Sequence, residues 1–286
     1  KNCLEKSSGF MFINFPDKQT FINNAIQMID VLPVYLLIKD MATNCYPSVN
    51  QFLDNCHAPN IFLNSTTAPT DLDPSNPSPE IEKIERHNQI ILEILSDFVK
   101  TAPTLAKTMV TNEFLDKVIT FLLKASNNTS LRASHLLYNL LILQDDVKLS
   151  SKPFVDAGHH IFERLSDLCN YVVAGDSYTS SKSSTARLIT YLISKHHGVP
   201  DEVLHLCQTM FSNIFKYPVQ SFLHNDTVRL FNKICNHSNI IESTDIQKVI
   251  IDQITNNYRQ INANYFGQLF KLVDVINNSP KMIKSE

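Results

Sequence analysis

Five glycines in 286 residues constrain this chain more than any other feature. Strand-rich folds draw on glycine for their tight hairpin turns, and a helical fold does not. The thirteen prolines stand mostly at segment edges. Apolar residues recur every three to four positions, as in Ile84, Ile91, Leu95 and Phe98, and in Phe114, Leu115, Val118, Ile119 and Leu122. The sets Val203, Cys207, Met210, Phe211, Ile214 and Val219, Phe222, Leu223, Leu230, Phe231, Ile234 repeat the pattern. Each set lines one face of a helix. The sequence therefore predicts an all-α chain.

The expected helices are about 12 to 20 residues long and follow one another through short links. That is the pattern of an α-solenoid of degenerate HEAT or armadillo-like hairpins, in which each pair buries its apolar face on its neighbours. No exact period is visible, so an irregular helical bundle remains the alternative. One repeat domain over residues 1–286 is expected, interrupted by mobile loops at about 64–79 and 175–184. The first is proline-rich and the second, G-D-S-Y-T-S-S-K-S-S, serine-rich; both are hydroxyl-rich and open to phosphorylation, but the favoured reading of each is an unmodified insertion between repeats. Between and after them the spacing predicts helices over Ser130–Leu143 (capped by Ser130), Pro153–Val173, Ser183–His197, Thr244–Tyr258 and Ala263–Asn277. His196-His197-Gly198 reads as a helix C-terminus with glycine in the left-handed cap.

Charge and cysteine usage exclude several classes. The net charge is −3 and the pI about 6.4, without the basic face of a nucleic-acid binder or a long block of like charge. No run of apolar residues is long enough to span a bilayer, so membrane insertion is not expected. No signal peptide is read, and Lys1 in place of Met suggests an excerpt or a trimmed product. The six cysteines are scattered without a C-x-x-C pair and read as core thiols of a reducing compartment. Triplets such as Asn64-Ser65-Thr66 are expected by chance in so Asn-rich a chain.

Catalytic patterns are absent. No phosphate-cradling glycine loop, nucleophile elbow or H-E-x-x-H helix occurs. The adjacent pairs His159-His160 and His196-His197 point about 100° apart on a helix and do not chelate one ion. Asp145-Asp146 reads as a solvated turn. Arg187, on an otherwise apolar helix, either pairs with a buried acid or presents its guanidinium at the surface. No catalytic residue, cofactor or metal is expected.

One phrase looks specific. Ile214-Phe215-Lys216-Tyr217-Pro218-Val219-Gln220-Ser221-Phe222-Leu223-His224-Asn225 runs from one amphipathic helix into the next. Pro218 ends the ladder of the first and biases Tyr217 away from helical dihedrals, so Tyr217 stands at a corner. Phe222 and Leu223 then anchor the second helix. Thr185-Ala186-Arg187-Leu188 lies upstream of this phrase. Asn264-Tyr265-Phe266-Gly267-Gln268-Leu269 lies downstream.

In this order and spacing, the three blocks resemble the SAPS family, the regulatory subunits of protein phosphatase 6 and their fungal counterparts. That family carries a Thr-Arg-Leu-like motif, a phrase like F-F-K-Y-P-W-N-N-F-L-H-N, and G-Y-M-G-H-L before an apolar helix. The likeness spans roughly residues 80–278 and is specific only in the two C-terminal blocks. Val219 stands for the aromatic, Gln220 and Ser221 for the asparagines, and Gln268 for the histidine.

The resemblance implies a non-catalytic scaffold in the cytoplasm, with nuclear access. It would bind a phosphatase 6-type serine/threonine phosphatase catalytic subunit and steer it to substrates, and it allows an ankyrin-repeat third subunit. The partner-binding candidates it implies are Arg187, Phe215, Lys216, Tyr217, Pro218, Phe222, Leu223, His224, Tyr265 and Gly267. A corner that merely fixes a hairpin angle is the competing reading of the phrase. A generic armadillo or HEAT adaptor, in transport or tethering, is the competing reading of the chain.

Overall fold

The computed structural model describes residues 17–43, 47–69, 78–145, 152–196, 198–217, 219–235, 255 and 263–277. Among these residues the fold is all-α: fourteen α-helices, short 3-10 turns and no strand. The chain divides into two compact units, Lys1–Ile161 and Phe162–Glu286.

The first unit holds α1 (Lys18–Gln27), α2 (Leu32–Thr43), α3 (Pro47–Asn55), α4 (Ala58–Asn64), α5 (Pro79–Thr101), α6 (Pro103–Ala106), α7 (Asn112–Lys124) and α8 (Asn127–Ile142). Helix α9 (Lys152–Glu163) begins in this unit and crosses the division. The spine is α5, 23 residues long, against which α2, α4, α6 and α8 pack. Its start is encoded in full. The Ser78 hydroxyl accepts from the Ile81 N–H at 3.3 Å, Pro79 opens the first turn, and Glu80 and Glu82 face the positive end of the dipole. Ile91, Leu92, Ile94, Leu95, Phe98 and Val99 are all fully buried. Each such side chain stabilises the fold by about 1.5–3 kcal/mol relative to exposure. Helix α5 gives way at Ala102 because Pro103 follows.

Several boundaries depart from expectation, each for a physical reason. Helix α8 starts at Asn127, and Ser130 is not its cap. Fully buried, Ser130 donates from Oγ towards the Phe121 and Ala125 carbonyls, at 3.2 and 3.1 Å, and so covers the end of α7. The apolar spacing marks no helix over Ala58–Asn64, where α4 forms. It begins after His57, which turns the chain with a left-handed φ of +49° where glycine would be the expected punctuation. The start of the expected mobile loop is pinned to α5. Asn88, 1% exposed, accepts from the Thr67 N–H at 3.1 Å and donates to the Thr67 carbonyl at 3.0 Å. Residues 70–77 lie outside the described residues, as does the expected helix Thr244–Tyr258 apart from residue 255.

The second unit holds α10 (Leu165–Val173), α11 (Ser180–Lys195), α12 (Asp201–Lys216), α13 (Ser221–Cys235) and α14 (Ala263–Asn277). Helix α10 packs on α11 and α12; α13 packs on α11, α12 and α14. The single helix expected over Pro153–Val173 is two, because the backbone at Arg164 (φ −95°, ψ 13°) leaves helical geometry. Gly198 has φ +148°, a conformation that glycine adopts freely.

The serine-rich stretch is a further correction. Only its first residues form the connector. Thr179 caps α11, accepting from the Lys182 N–H at 3.4 Å, and Ser181, Ser183 and Ser184 are buried in the first turns. Their hydroxyls are internal structure, not accessible acceptors of a modification. No helix among the described residues is long and apolar enough to cross a membrane.

Candidate protein-interaction surface

The Tyr217 corner joins α12 to α13. Tyr217 closes α12, its N–H donating to the Asn213 carbonyl at 2.9 Å, with φ −126° and ψ 69°. Its own carbonyl accepts from the Gln220 N–H at 3.2 Å and from His224 Nε2–H at 3.0 Å. His224 is 2% exposed. Burial pushes its imidazole below the usual range, against the opposing pull of the Tyr217 and Ile214 carbonyls. The ring is therefore neutral near pH 7, with its proton on Nε2 to serve the carbonyl. His224 is a brace inside the corner, and its place as a partner-binding candidate is corrected accordingly.

The other residues of the phrase divide into inner and outer sets. Leu223 is buried, and Phe215 is half-buried with its ring edge-to-face on Phe211 at 5.4 Å. Leu223 thus belongs to the core, and the Phe215 contact with Phe211 lies within α12. Lys216 is exposed, its Nζ 5.0 Å from the Tyr217 ring centroid and 3.6 Å from Asp176 Oδ1. Tyr217 is half-buried. Val219 and Phe222 stand 81% and 60% exposed. Pro218 lies outside the described residues.

The downstream block meets the corner phrase directly. Gln268 on α14 donates from Nε2 to Asn225 Oδ1 on α13 at 2.9 Å. Two segments that looked related only by order are thus hydrogen-bonded neighbours. Gly267 is exposed, and a Cβ added there meets nothing within 4 Å. Tyr265 lies on α14, its side chain outside the described residues. Phe270, on the same helix, is 64% exposed.

Arg187 fits both of the roles open to it. Its Nε lies 3.5 Å from Oδ1 of Asp226, which is 1% exposed, while its own side chain is 50% exposed. Arg229 Nη1 reaches the same oxygen at 2.8 Å. The other carboxylate oxygen accepts from the Tyr178 hydroxyl at 3.2 Å and from the Ser183 hydroxyl. Burial, and then the Asp226 charge, push the Tyr178 phenol far above its ordinary range, so it stays a donor. One buried carboxylate thus ties the α10–α11 connector, α11 and α13. Sequence reasoning missed Asp226 because nothing marks an acid 39 residues from Arg187 as its partner.

Elsewhere the polar groups look structural. His160 Nε2 meets Asp116 Oδ1 at 3.0 Å, and the His196 ring stacks on Phe162 at 3.6 Å. Cys56, Cys169, Cys207 and Cys235 are buried, and burial pushes the Cys169 and Cys207 thiols up to about 12. No group of three or more His, Cys, Asp or Glu among the described residues is placed to hold a metal ion.

The first unit has a groove of about 310 Å³, bounded by Tyr35, Arg86, Glu93 and Arg132. Glu93 is clamped by Lys39 at 2.6 Å and Arg132 at 3.4 Å. Burial would raise its carboxyl, but the two cations outweigh burial and hold it below the usual range. Met28, Val31, Leu32 and Leu36 are exposed at the α1–α2 corner, an apolar cluster the sequence pattern did not single out.

No family model, no curated protein and no solved structure matches the chain.

Proposed function

We propose that this chain is a non-catalytic scaffold of stacked helical hairpins, acting in the cytoplasm and nucleus. It binds a phosphatase 6-type serine/threonine phosphatase catalytic subunit through the Tyr217 corner and directs it to substrates. The observation that carries this reading is the split within the corner phrase. His224 and Leu223 lock the turn from inside, and Val219 and Phe222 remain exposed in the same phrase as the exposed Lys216. Rigid apolar side chains next to a cation suit an interface anchor, because little conformational freedom is lost on binding. The hydrogen bond between Asn225 and Gln268 supports it further, by bringing the two blocks of the family likeness to one place.

The test is association of the purified chain with purified phosphatase catalytic subunit, followed by size exclusion and calorimetry. A complex that is lost in Val219→Ser/Phe222→Ser, with the variant's helicity intact, supports the proposal. Absence of any complex removes the phosphatase reading, and a complex untouched by the double substitution removes the corner as its surface. Phosphatase-independent capture of a transport or tethering component would favour a generic adaptor instead.

A further inference from the structure

We propose that Arg187 and Arg229 form a receptor for a phosphate monoester carried on a peptide. Both guanidinium groups converge on one oxygen, Asp226 Oδ1, at 3.5 and 2.8 Å. Asp226 is 1% exposed, whereas the two arginine side chains are 50% and 44% exposed. The carboxylate therefore acts from beneath as a positioning residue, holding two otherwise floppy side chains at the surface. Its second oxygen is held by the Tyr178 and Ser183 hydroxyls, so the carboxylate itself is fixed.

The donors and charges do not balance internally. A guanidinium has five N–H donors. Among the described residues each arginine directs one nitrogen to Asp226, and with side chains 50% and 44% exposed most of the donors are left for other partners. Two cations share one carboxylate, a surplus of one positive charge. Neighbouring groups add to it. Lys195 lies two turns along α11 from Arg187, Lys233 one turn along α13 from Arg229, and both are exposed. Neither helix carries any acid but Asp226. Among the described residues, the adjoining elements carry Asp176 on the connector, which pairs with Lys216, Asp167 on α10, Asp201 and Glu202 on α12, and Asp274 on α14.

Two preorganised forks on a locally basic face match the oxygens of a phosphate, which bind arginine bidentately. A peptide carrier is favoured over a nucleic acid. The chain has net charge −3, and the cations occupy two short stripes rather than a continuous track. An apolar anchor is also in place. Phe222, 60% exposed, lies seven residues before Arg229 on α13, and so about 10 Å away on the same side. About three residues of extended peptide span that distance.

The inference is independent of the phosphatase reading, because it concerns the isolated chain. The probe is a short peptide with one phosphoserine and a leucine about three residues away, titrated against the full chain at physiological salt. Its unphosphorylated form, inorganic phosphate and a short single-stranded RNA serve as competitors. The expected result is preference for the phosphopeptide over the serine form by about tenfold or more. Because removing both arginines would strand the buried Asp226, the decisive variant is Arg187→Lys/Arg229→Lys. It keeps the charge and loses the fork, and about tenfold weaker binding is expected. Lys195→Ala/Lys233→Ala should change binding by less than about threefold. Equal binding of the two peptides would overturn the proposal, as would an undiminished arginine-to-lysine variant. Stronger binding of RNA would reassign the face to non-specific polyanions, and binding of inorganic phosphate alone would leave an adventitious ion only.

Discussion

Asp226→Ala is the most informative single perturbation of the second unit, and its cost can be worked from its partners. The substitution orphans the Tyr178 and Ser183 hydroxyls and frees Arg187 and Arg229. The arginines are half-exposed, so water replaces the carboxylate, and each loss is worth about 0–1 kcal/mol. The hydroxyls matter more. A buried hydroxyl left without a partner costs about 1–3 kcal/mol. Ser183, 4% exposed, can turn its hydroxyl to the carbonyl one turn back and recover part of this. The Tyr178 phenol is half-buried, and water replaces only part of its bond to Asp226. The sum is about 2–4 kcal/mol, with Asp226→Asn milder because it keeps an acceptor. Native-state hydrogen exchange read on peptides from α11 and α13 should show protection falling roughly 30- to 900-fold, with α5 as internal reference. Arg187→Ala should reduce it only a few-fold. If Arg187→Ala costs as much as Asp226→Ala, the ion pair dominates and the hydroxyl argument is wrong. Unchanged protection in Asp226→Ala would refute the hub altogether.

Three further outcomes follow from the same structure. Burial holds His224 and His87 below the ordinary imidazole pKa of 6.5. Below that pH the unfolded chain binds more protons than the folded one, so stability is full above pH 6.5 and falls as pH drops through the folded values; thermal melts from neutral to mildly acidic pH check this, and His224→Gln should flatten the slope while lowering stability at neutral pH. Phe222→Ser should leave the urea midpoint within about 0.5 kcal/mol of the parent, whereas Leu223→Ala, one residue on and 1% exposed, should cost about 2–5 kcal/mol. Ser130→Ala removes the donor that covers the Phe121 and Ala125 carbonyls and should cost about 1 kcal/mol in the same assay.

The all-α character was legible because it rests on weak signals that agree along the whole chain: scarce glycine and apolar residues every three to four positions. The misread places each hang on one tertiary fact. Composition marks Ser180–Ser184 as a loop. The helix forms anyway because its hydroxyls find partners inside: Ser181 meets Tyr171 at 2.7 Å and Ser183 meets Asp226. Apolar periodicity runs unbroken through Arg164, so nothing in the letters announces the break between α9 and α10. His57 turns the chain without a glycine to flag it.

The corner phrase shows most clearly where sequence reasoning stops. Letters identify Phe222, Leu223 and His224 as apolar or aromatic, and cannot say which face inward, since that depends on how α13 is rotated about its axis. A single hydrogen bond supplies the missing information. For His224 Nε2 to reach the Tyr217 carbonyl at 3.0 Å, the His224 side of α13 must face α12. Phe222 precedes it by two residues, about 200° around the helix, and is therefore turned to the opposite side, where it is 60% exposed. The buried brace and the exposed aromatic are consequences of one rotation. A substitution that releases His224 should accordingly disturb the Phe222 surface without touching it, whereas Phe222→Ser should leave the brace intact. That asymmetry separates the part of the phrase that shapes the turn from the part available to a partner.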